Sequence, residues 1–452
     1  MSSNRLPKVE NVTVKYHVEP VAPTDRPRRF LEVFGAVLKH SNYGYVLDHF
    51  ARVAAKCARC AVECPVFQAT DRTADVPCAR SELLLRVYRR HFTAEGQLMA
   101  RLFAAPPLAD ADIDVMAEAY YRCTACRRCN LACPMGLDHG LITHLARYLL
   151  SEIGIVPRAL HVSVREQLEG KSGNTSAIPA VALLDTLSFL EEELAEKFAR
   201  KIKFPVDVEG AEYVFFPAVS DFLLEPDVLM GQAAVFHATG DSWTIGTGNF
   251  DGINYGLFYN DRFLEEIVRR EIAEVRRLKG RKILIGECGH ASRTAKVFVP
   301  AFSGGSAPEV VNILEYTDRA IQEGKLKLDP GVVKERVTYH DPCNLARSGW
   351  VVEQPRRIIR SFIKDFVEME PRGRENYCCG GGGGTVSIDE LRQFRTSIGG
   401  KRKAEQLRAT GARYVIAPCA NCKKALKEVI EDHHLDMELI GLHDLILRAI
   451  TF

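Results

Sequence analysis

The sequence predicts a helical domain followed by two α/β modules built on largely parallel strands, and three observations carry that prediction. Over 43–155 apolar residues recur three and four apart, the helical spacing, in segments such as ARSELLLRVYRRHF (79–92) and GLITHLARYLLSEIG (140–154). From 212 onward short β-branched runs, YVFFP, RKILIGE, RVTYHD and RYVIAP, each lead into a turn or helix, as expected of layered α/β structure. This second region also repeats itself. DSWTIGTGNF (241–250) aligns with ENYCCGGGGGT (375–385), KILIGECGHASRTAKVF (282–298) with RYVIAPCANCKKALKEV (413–429), and VFFPAV (214–219) with YHDPCN (339–344).

Taken in order, 1–42 reads as a Pro-rich extended arm and 43–155 as the helical domain. Residues 156–210 read as a helical connector containing the charged amphipathic segment SFLEEELAEKFARKI, 211–335 as a first α/β module and 336–452 as a second. A chain of 452 residues has room for roughly three domains. Its 60 Lys+Arg against 58 Asp+Glu leave no general electrostatic case for nucleic acid. The basic stretches 80–90 and 269–282 read as solvated helix faces, with a docking surface for a partner or the membrane as the alternative. The N-terminal segment has no apolar signal region, and the longest apolar stretch, 177–190, contains Asp185 and is too short to span a bilayer. The expectation is a cytoplasmic protein with no membrane span of its own.

Fourteen cysteines in such a chain argue for metal over disulfides, because cytosolic reductants keep thiols reduced. All but Cys288 fall into three clusters. Cys123, Cys126, Cys129 and Cys133, followed by Pro134, reproduce the C-x2-C-x2-C-x3-C-P run that wraps a [4Fe–4S] cubane, whose fourth cysteine reaches a second cluster. Cys57, Cys60 and Cys64-Pro65 match the last three cysteines of that run, with Ala54 in the place of the first. Crossed ligation puts one cluster on Cys123, Cys126, Cys129 and Cys64, and the other on Cys57, Cys60, Cys133 and Cys78. At that last position a [3Fe–4S] centre or a non-cysteine ligand stands as an alternative, and Cys78 is then a buried bystander. Two such clusters with no acid, base or nucleophile beside them make a wire for electrons.

The second α/β module carries Cys343, the adjacent pair Cys378 and Cys379, then Cys419 and Cys422. Adjacent thiols followed by five glycines offer a strand or helix nothing to bury. Strand-to-helix junctions bring all five to the carboxyl edge of one small sheet, where a helix N-terminus favours thiolate at Cys419 and Cys422. Five exceeds the four that zinc or a cubane needs, so either one thiol is free or the metal group is not an ordinary cubane. Gly380 and Gly381 permit close backbone approach to that group, and no Lys-Ser/Thr follows to make a phosphate loop. In the first module Ala218, Thr244, Ile245 and Ala291 stand opposite Cys343, Cys378, Cys379 and Cys422, while Cys288 survives opposite Cys419. Cys288 and His290 are either a packed remnant or a thiol and proton donor near the substrate. His340 reads as a supporting or structural residue.

The pattern C-x(n)-C-C-G-x(n)-C-x2-C resembles the cysteine-rich CCG module of heterodisulfide reductase catalytic subunits, and the preceding motifs resemble their ferredoxin-like dicluster domain. The fused order, the single complete module, GECGHA (286–291) and PCARSELLLRVYRRHF (77–92) most resemble the K subunit of the membrane complex linked to dissimilatory sulfite reductase. The likeness covers 43–452; Ala54 and Cys78 depart from it. It implies an α-helical dicluster domain followed by tandem CCG modules, the first degenerate, with two cubanes and a noncubane [4Fe–4S] cluster on Cys343, Cys378, Cys379, Cys419 and Cys422. The implied function is an iron–sulfur oxidoreductase subunit that reduces or oxidises a disulfide or trisulfide on a small sulfur-carrier protein. It would sit at the inner face of the cell membrane through a cytochrome b-type or other quinone-linked subunit. Two rivals remain: the iron–sulfur subunit of a flavin-linked lactate, glycolate or glycerol-3-phosphate dehydrogenase, and a non-enzymatic redox-sensing scaffold. No dinucleotide-binding fingerprint appears, so flavin or nicotinamide would have to bind elsewhere.

Overall fold

A computed structural model describes residues 16–17, 25–54, 56–104 and 106–452; much of the extended arm expected over 1–42 lies outside these, and its described part is instead helical over Arg26–His40, which buries Phe30, Val33 and Phe34. The chain forms two compact units. The first comprises the described residues of Met1–His161 with Phe258–Asp261 and Gly380–Lys401, and the second Val162–Leu257, Arg262–Cys379 and Arg402–Phe452.

The first unit is helical. Its frame is α1 (Arg26–His40), α2 (Tyr43–Val53), α3 (Pro77–Phe92), α4 (Asp110–Tyr121) and α5 (His139–Glu152). Pro77 opens α3 and Asp138 caps α5 by accepting from the Gly140 and Leu141 amides, so each start is marked in sequence. Ser81, Leu84, Leu85 and Tyr88 bury one face of α3, while Ile113, Met116 and Tyr120 of α4 and Leu145 and Leu149 of α5 are buried as well. Arg80 corrects the reading of 80–90 as a solvated face. It is buried, because it lies one turn before Leu84 on the inward side of α3.

Arg147 of α5 is buried too, and its guanidinium is satisfied by main-chain carbonyls: Tyr120 at 2.8 Å, Cys123 at 2.6 Å, Phe258 at 3.1 Å and Gly383 at 2.7 Å. The glycine loop that follows Cys379 is thereby held on the segment that follows α4. The approach is too close for side chains. A Cβ on Gly382 would lie 2.3 Å from the Thr124 carbonyl oxygen, and one on Gly383, whose φ is +63°, 2.6 Å from that of Cys123.

The second unit holds two four-stranded sheets. In the first, β1 (Tyr213–Phe216), β2 (Trp243–Thr244), β3 (Lys282–Ile285) and β4 (Glu309–Asn312) lie in the order β2-β1-β3-β4. In the second, β5 (Val337–Tyr339), β6 (Phe366–Val367), β7 (Tyr414–Ile416) and β8 (Glu438–Ile440) lie in the order β6-β5-β7-β8. Every pairing is parallel, and the two orders are the same, as the internal repeat requires. The runs YVFF and VTY are buried throughout, the signature of strands covered on both faces. The equivalence extends to the junctions. β3 leads to α6 (Gly289–Phe302) with Cys288 at its N-cap, and β7 leads to α9 (Ala420–Asp432), after α7 (Cys343–Gly349) and α8 (Arg392–Thr410), with Cys419 at its N-cap.

Glu287 joins the two copies. Its carbonyl accepts from the Ala420 amide at 3.2 Å, and its carboxylate accepts from the His443 amide at 2.9 Å, on α10 (Leu442–Ala449). Lys423 lies 3.3 Å from the same carboxylate and 3.5 Å from that of Asp221, all four groups being buried. One lysine compensates one anion in a dry interior. Glu287 accordingly lies at about 2, with Lys423 and then His443 overcoming the cost of burial, whereas burial pushes Asp221 up to about 7.

Two predictions follow from this packing. Gly382→Ala should cost about 1–3 kcal/mol, read as a lower urea midpoint; an unchanged midpoint would show that the loop has room. Because the folded pKa of Glu287 is depressed, its contribution of about 3 kcal/mol is present above its ordinary range and lost as pH falls from about 4.5 toward 2. The stability gap between the wild type and Glu287→Gln should therefore narrow between pH 6 and pH 3.5; a constant gap would mean that Glu287 carries no charge in the fold.

Candidate metal centres

Two sulfur-rich regions arise in the first unit. Cys64, Cys123, Cys126 and Cys129 line one partly open pocket of about 340 Å³, mouth included, together with Arg80 and His139. The turns that present these cysteines use left-handed backbone at Ala125 and Arg127, and Lys56 and Ala58 repeat it around Cys57. Alternation of hand in this way turns successive amides inward toward an anion. The Ala125 amide donates to the Cys123 sulfur at 3.4 Å, and the Leu137 amide to that of Cys133 at 3.4 Å. Burial pushes the Cys64 thiol up to about 11 and Cys129 well above the usual thiol range, so thiolates in this pocket need a cation close by.

Cys60 and Cys78 are hydrogen-bonding neighbours in an apolar pocket with Ala61 and Val76, and burial first, then Cys78, pushes Cys60 up to about 12. Cys78 occupies the first turn of α3. Cys57 is exposed and Cys133 half-buried.

In the second unit the Cys379 and Cys422 sulfurs are 3.3 Å apart, and a ring nitrogen of His340 lies within 4.8 Å of both. Cys419 exchanges hydrogen bonds with Cys422, Cys288 and His290; receiving them from Cys288 and Cys422, it is held well below the usual thiol range, while Cys288 and Cys422 are raised. Four sulfurs thus run in series from Cys379 through Cys422 and Cys419 to Cys288, whose sulfur is 3.2 Å from His290 Nδ1. Cys378 is buried beside Cys379, and Cys343 opens α7, half-buried. Gly380 begins the loop with φ +90°, and Gly381 follows it.

The setting of these sulfurs is cationic. Lys403 of α8 is buried, donates to Asn376 at 3.0 Å and lies 3.2 Å from His340 Nδ1. Burial draws its ammonium down to about 8, against the pull of Cys379 and Cys378. His340 is held neutral, by burial first and by Lys403 next. The loop of Cys343 is anchored by Asp341, which takes both guanidinium ends of Arg356 at 2.9 and 2.8 Å and the Gly373 amide at 2.7 Å. A buried lysine suits a thiolate-rich metal group of net negative charge, and the donor set fits such a group.

Arg80, Arg147, Lys403 and Asn376 were missed by the sequence reading. Arg147 had a usable signal, a lone charge inside the apolar helix LITHLARYLL; Lys403 had none, standing beside Lys401 and Arg402 in a basic stretch.

Comparison with known proteins agrees with this chemistry. Residues 55–137 match the 4Fe-4S dicluster domain and residues 337–427 the cysteine-rich domain termed CCG. The chain is 26% identical to the Hdr-like menaquinol oxidoreductase iron-sulfur subunit 2 of Archaeoglobus fulgidus, over 94% of this chain and 84% of that protein. It is 24% identical to the D subunit of the dihydromethanophenazine:CoB–CoM heterodisulfide reductase of Methanosarcina barkeri, over 87% and 93% respectively. A third relative, the B subunit of the fumarate reductase (CoM/CoB) of Methanothermobacter marburgensis, is 28% identical over 74% of this chain and 62% of its own. With a 4Fe-4S dicluster domain and a CCG domain both matched, and relatives that share the layout over most of their length, the chain carries the domains of an iron–sulfur oxidoreductase subunit and is similar to the subunits of heterodisulfide reductases.

Proposed function

We propose that this chain carries electrons to a sulfur–sulfur bond and cleaves it, or runs the same step in reverse. In this reading Cys64, Cys123, Cys126 and Cys129 hold one cubane and Cys57, Cys60, Cys78 and Cys133 a second. Cys343, Cys378, Cys379, Cys419 and Cys422 hold a noncubane [4Fe–4S] group, with Gly380 and Gly381 giving it backbone room. The observation that carries the reading is the 3.3 Å approach of the Cys379 and Cys422 sulfurs beside the buried Lys403. When bound, the cubanes supply electrons singly and the five-thiolate group supplies an iron site for the substrate sulfur.

The residues of the chain do the rest. Lys403 balances thiolate charge, and neutral His340 holds its place through Lys403 and Asn376. Cleaving a disulfide bond consumes two electrons and two protons and releases two thiols, and cleaving one sulfur–sulfur bond of a trisulfide consumes the same and releases a thiol and a persulfide. His290, 3.2 Å from the Cys288 sulfur and hydrogen-bonded to Cys419, is the proton donor in this reading, with Cys288 the thiol through which it acts. The dicluster domain spans 43–155 in this proposal, the connector 156–210, and the degenerate and complete CCG modules 211–335 and 336–452. A menaquinol oxidoreductase subunit among the relatives supports a quinone-linked partner; in this reading that partner is cytochrome b-type and holds the chain at the inner face of the membrane, and the substrate is a small sulfur-carrier protein. Among the described residues no helix is long and apolar enough to cross a membrane.

Paramagnetic resonance of the iron-loaded protein after oxidation with a disulfide should reveal a signal that Cys378→Ala and Cys379→Ala each abolish; survival of the signal in both overturns the five-cysteine site. Purification with a haem b subunit accords with the quinone-linked partner, whereas a flavoprotein partner favours the dehydrogenase-type relay. Turnover should fall about 100-fold in His290→Gln and clearly in Cys288→Ala. Full turnover in Cys288→Ala would return that thiol to a packing role.

A further inference from the structure

Arg80 stands on the wall of the pocket lined by Cys64, Cys123, Cys126 and Cys129, and 2% of it is exposed. Its position is fixed at two points. Nη2 donates to the Asp75 carbonyl at 2.9 Å, and the Arg80 carbonyl accepts from the Tyr120 hydroxyl at 2.7 Å. Its Nε, out of contact with water, has no hydrogen-bond partner among the described residues. Leaving a buried charged donor unmade costs more than leaving a neutral one, so an acceptor belongs in that pocket. Around the other cysteine set the surroundings differ. Cys60 lies among Ala61, Val76 and Cys78, and Cys57 is exposed to water.

An iron–sulfur group gains one negative charge on reduction. A fixed cation beside it in a dry pocket stabilises the reduced form more than the oxidised one, which raises its potential. We propose that Arg80 makes the group on Cys64, Cys123, Cys126 and Cys129 the more easily reduced of the two cubanes, so that an electron entering the pair comes to rest there. The inference rests on the ligand assignment proposed above and adds the order of the relay.

The test is a potentiometric titration, monitored by paramagnetic resonance, of the full-length iron-loaded chain with Arg80 intact, Arg80→Met and Arg80→Lys. With Arg80 intact, two separable cubane signals are expected; fewer would overturn the ligand assignment, whatever Arg80 does. In Arg80→Met one signal should move to lower potential by at least tenfold in its reduction equilibrium, about 59 mV for one electron, while the other stays in place. Arg80→Lys, which keeps the charge, should recover at least half of that shift. Cys126→Ser, which changes the line shape of its own cluster, identifies the signal that must move. If Arg80→Met fails to hold iron, Arg80→Gln, which keeps a donor for the Asp75 carbonyl, takes its place. Potentials that stay within twofold of the unsubstituted protein, or a shift confined to the other signal, would overturn the proposal.

Discussion

Thiolate charge in a dry interior governs this molecule. Most of its cysteine sulfurs are buried or half-buried, and burial alone drives each thiol toward its neutral, non-ligating form. Holding them as metal ligands requires positive charge or hydrogen-bond donors around each group. The chain provides both by different local means. In the first unit a helix arginine, Arg80, and left-handed turns that point amides at sulfur serve the cubane-type motifs. In the second, a lysine on α8 and the N-terminus of α9 serve the five-cysteine module. In each unit the metal is only one part of the compensation, and the remainder is built into the fold.

The internal repeat shows what a module keeps when it loses its ligands. The two sheets share strand order and parallel pairing, and the third strand of each ends at a helix N-cap occupied by cysteine, Cys288 or Cys419. The first copy has exchanged its other cysteines for Ala218, Thr244, Ile245 and Ala291, yet its Cys288 hydrogen-bonds to Cys419. Glu287, one residue earlier, contacts both α9 and α10. A copy without those four cysteines thus still contributes to the walls of the cysteine site of the other.

What the sequence could reveal was set by range. Cysteine spacing, the glycine run and the strand-to-helix alternation are local patterns, and the iron–sulfur motifs, the parallel sheets and their doubling were readable from them. Charge burial is not local. Arg80 sits in a run of arginines, and its neighbours Arg86 and Arg89 form ordinary ion pairs with Asp112 and Glu82 nearer the surface. Nothing in the run distinguishes the one residue whose place on the helix face turns it toward Cys64 and Cys123. Lys403 is hidden in the same way beside Lys401 and Arg402. The opening glycines of the loop were read as backbone room for a metal group. Gly382 and Gly383 have a second cause that only packing exposes, the carbonyls of Thr124 and Cys123 occupying the space where side chains would stand.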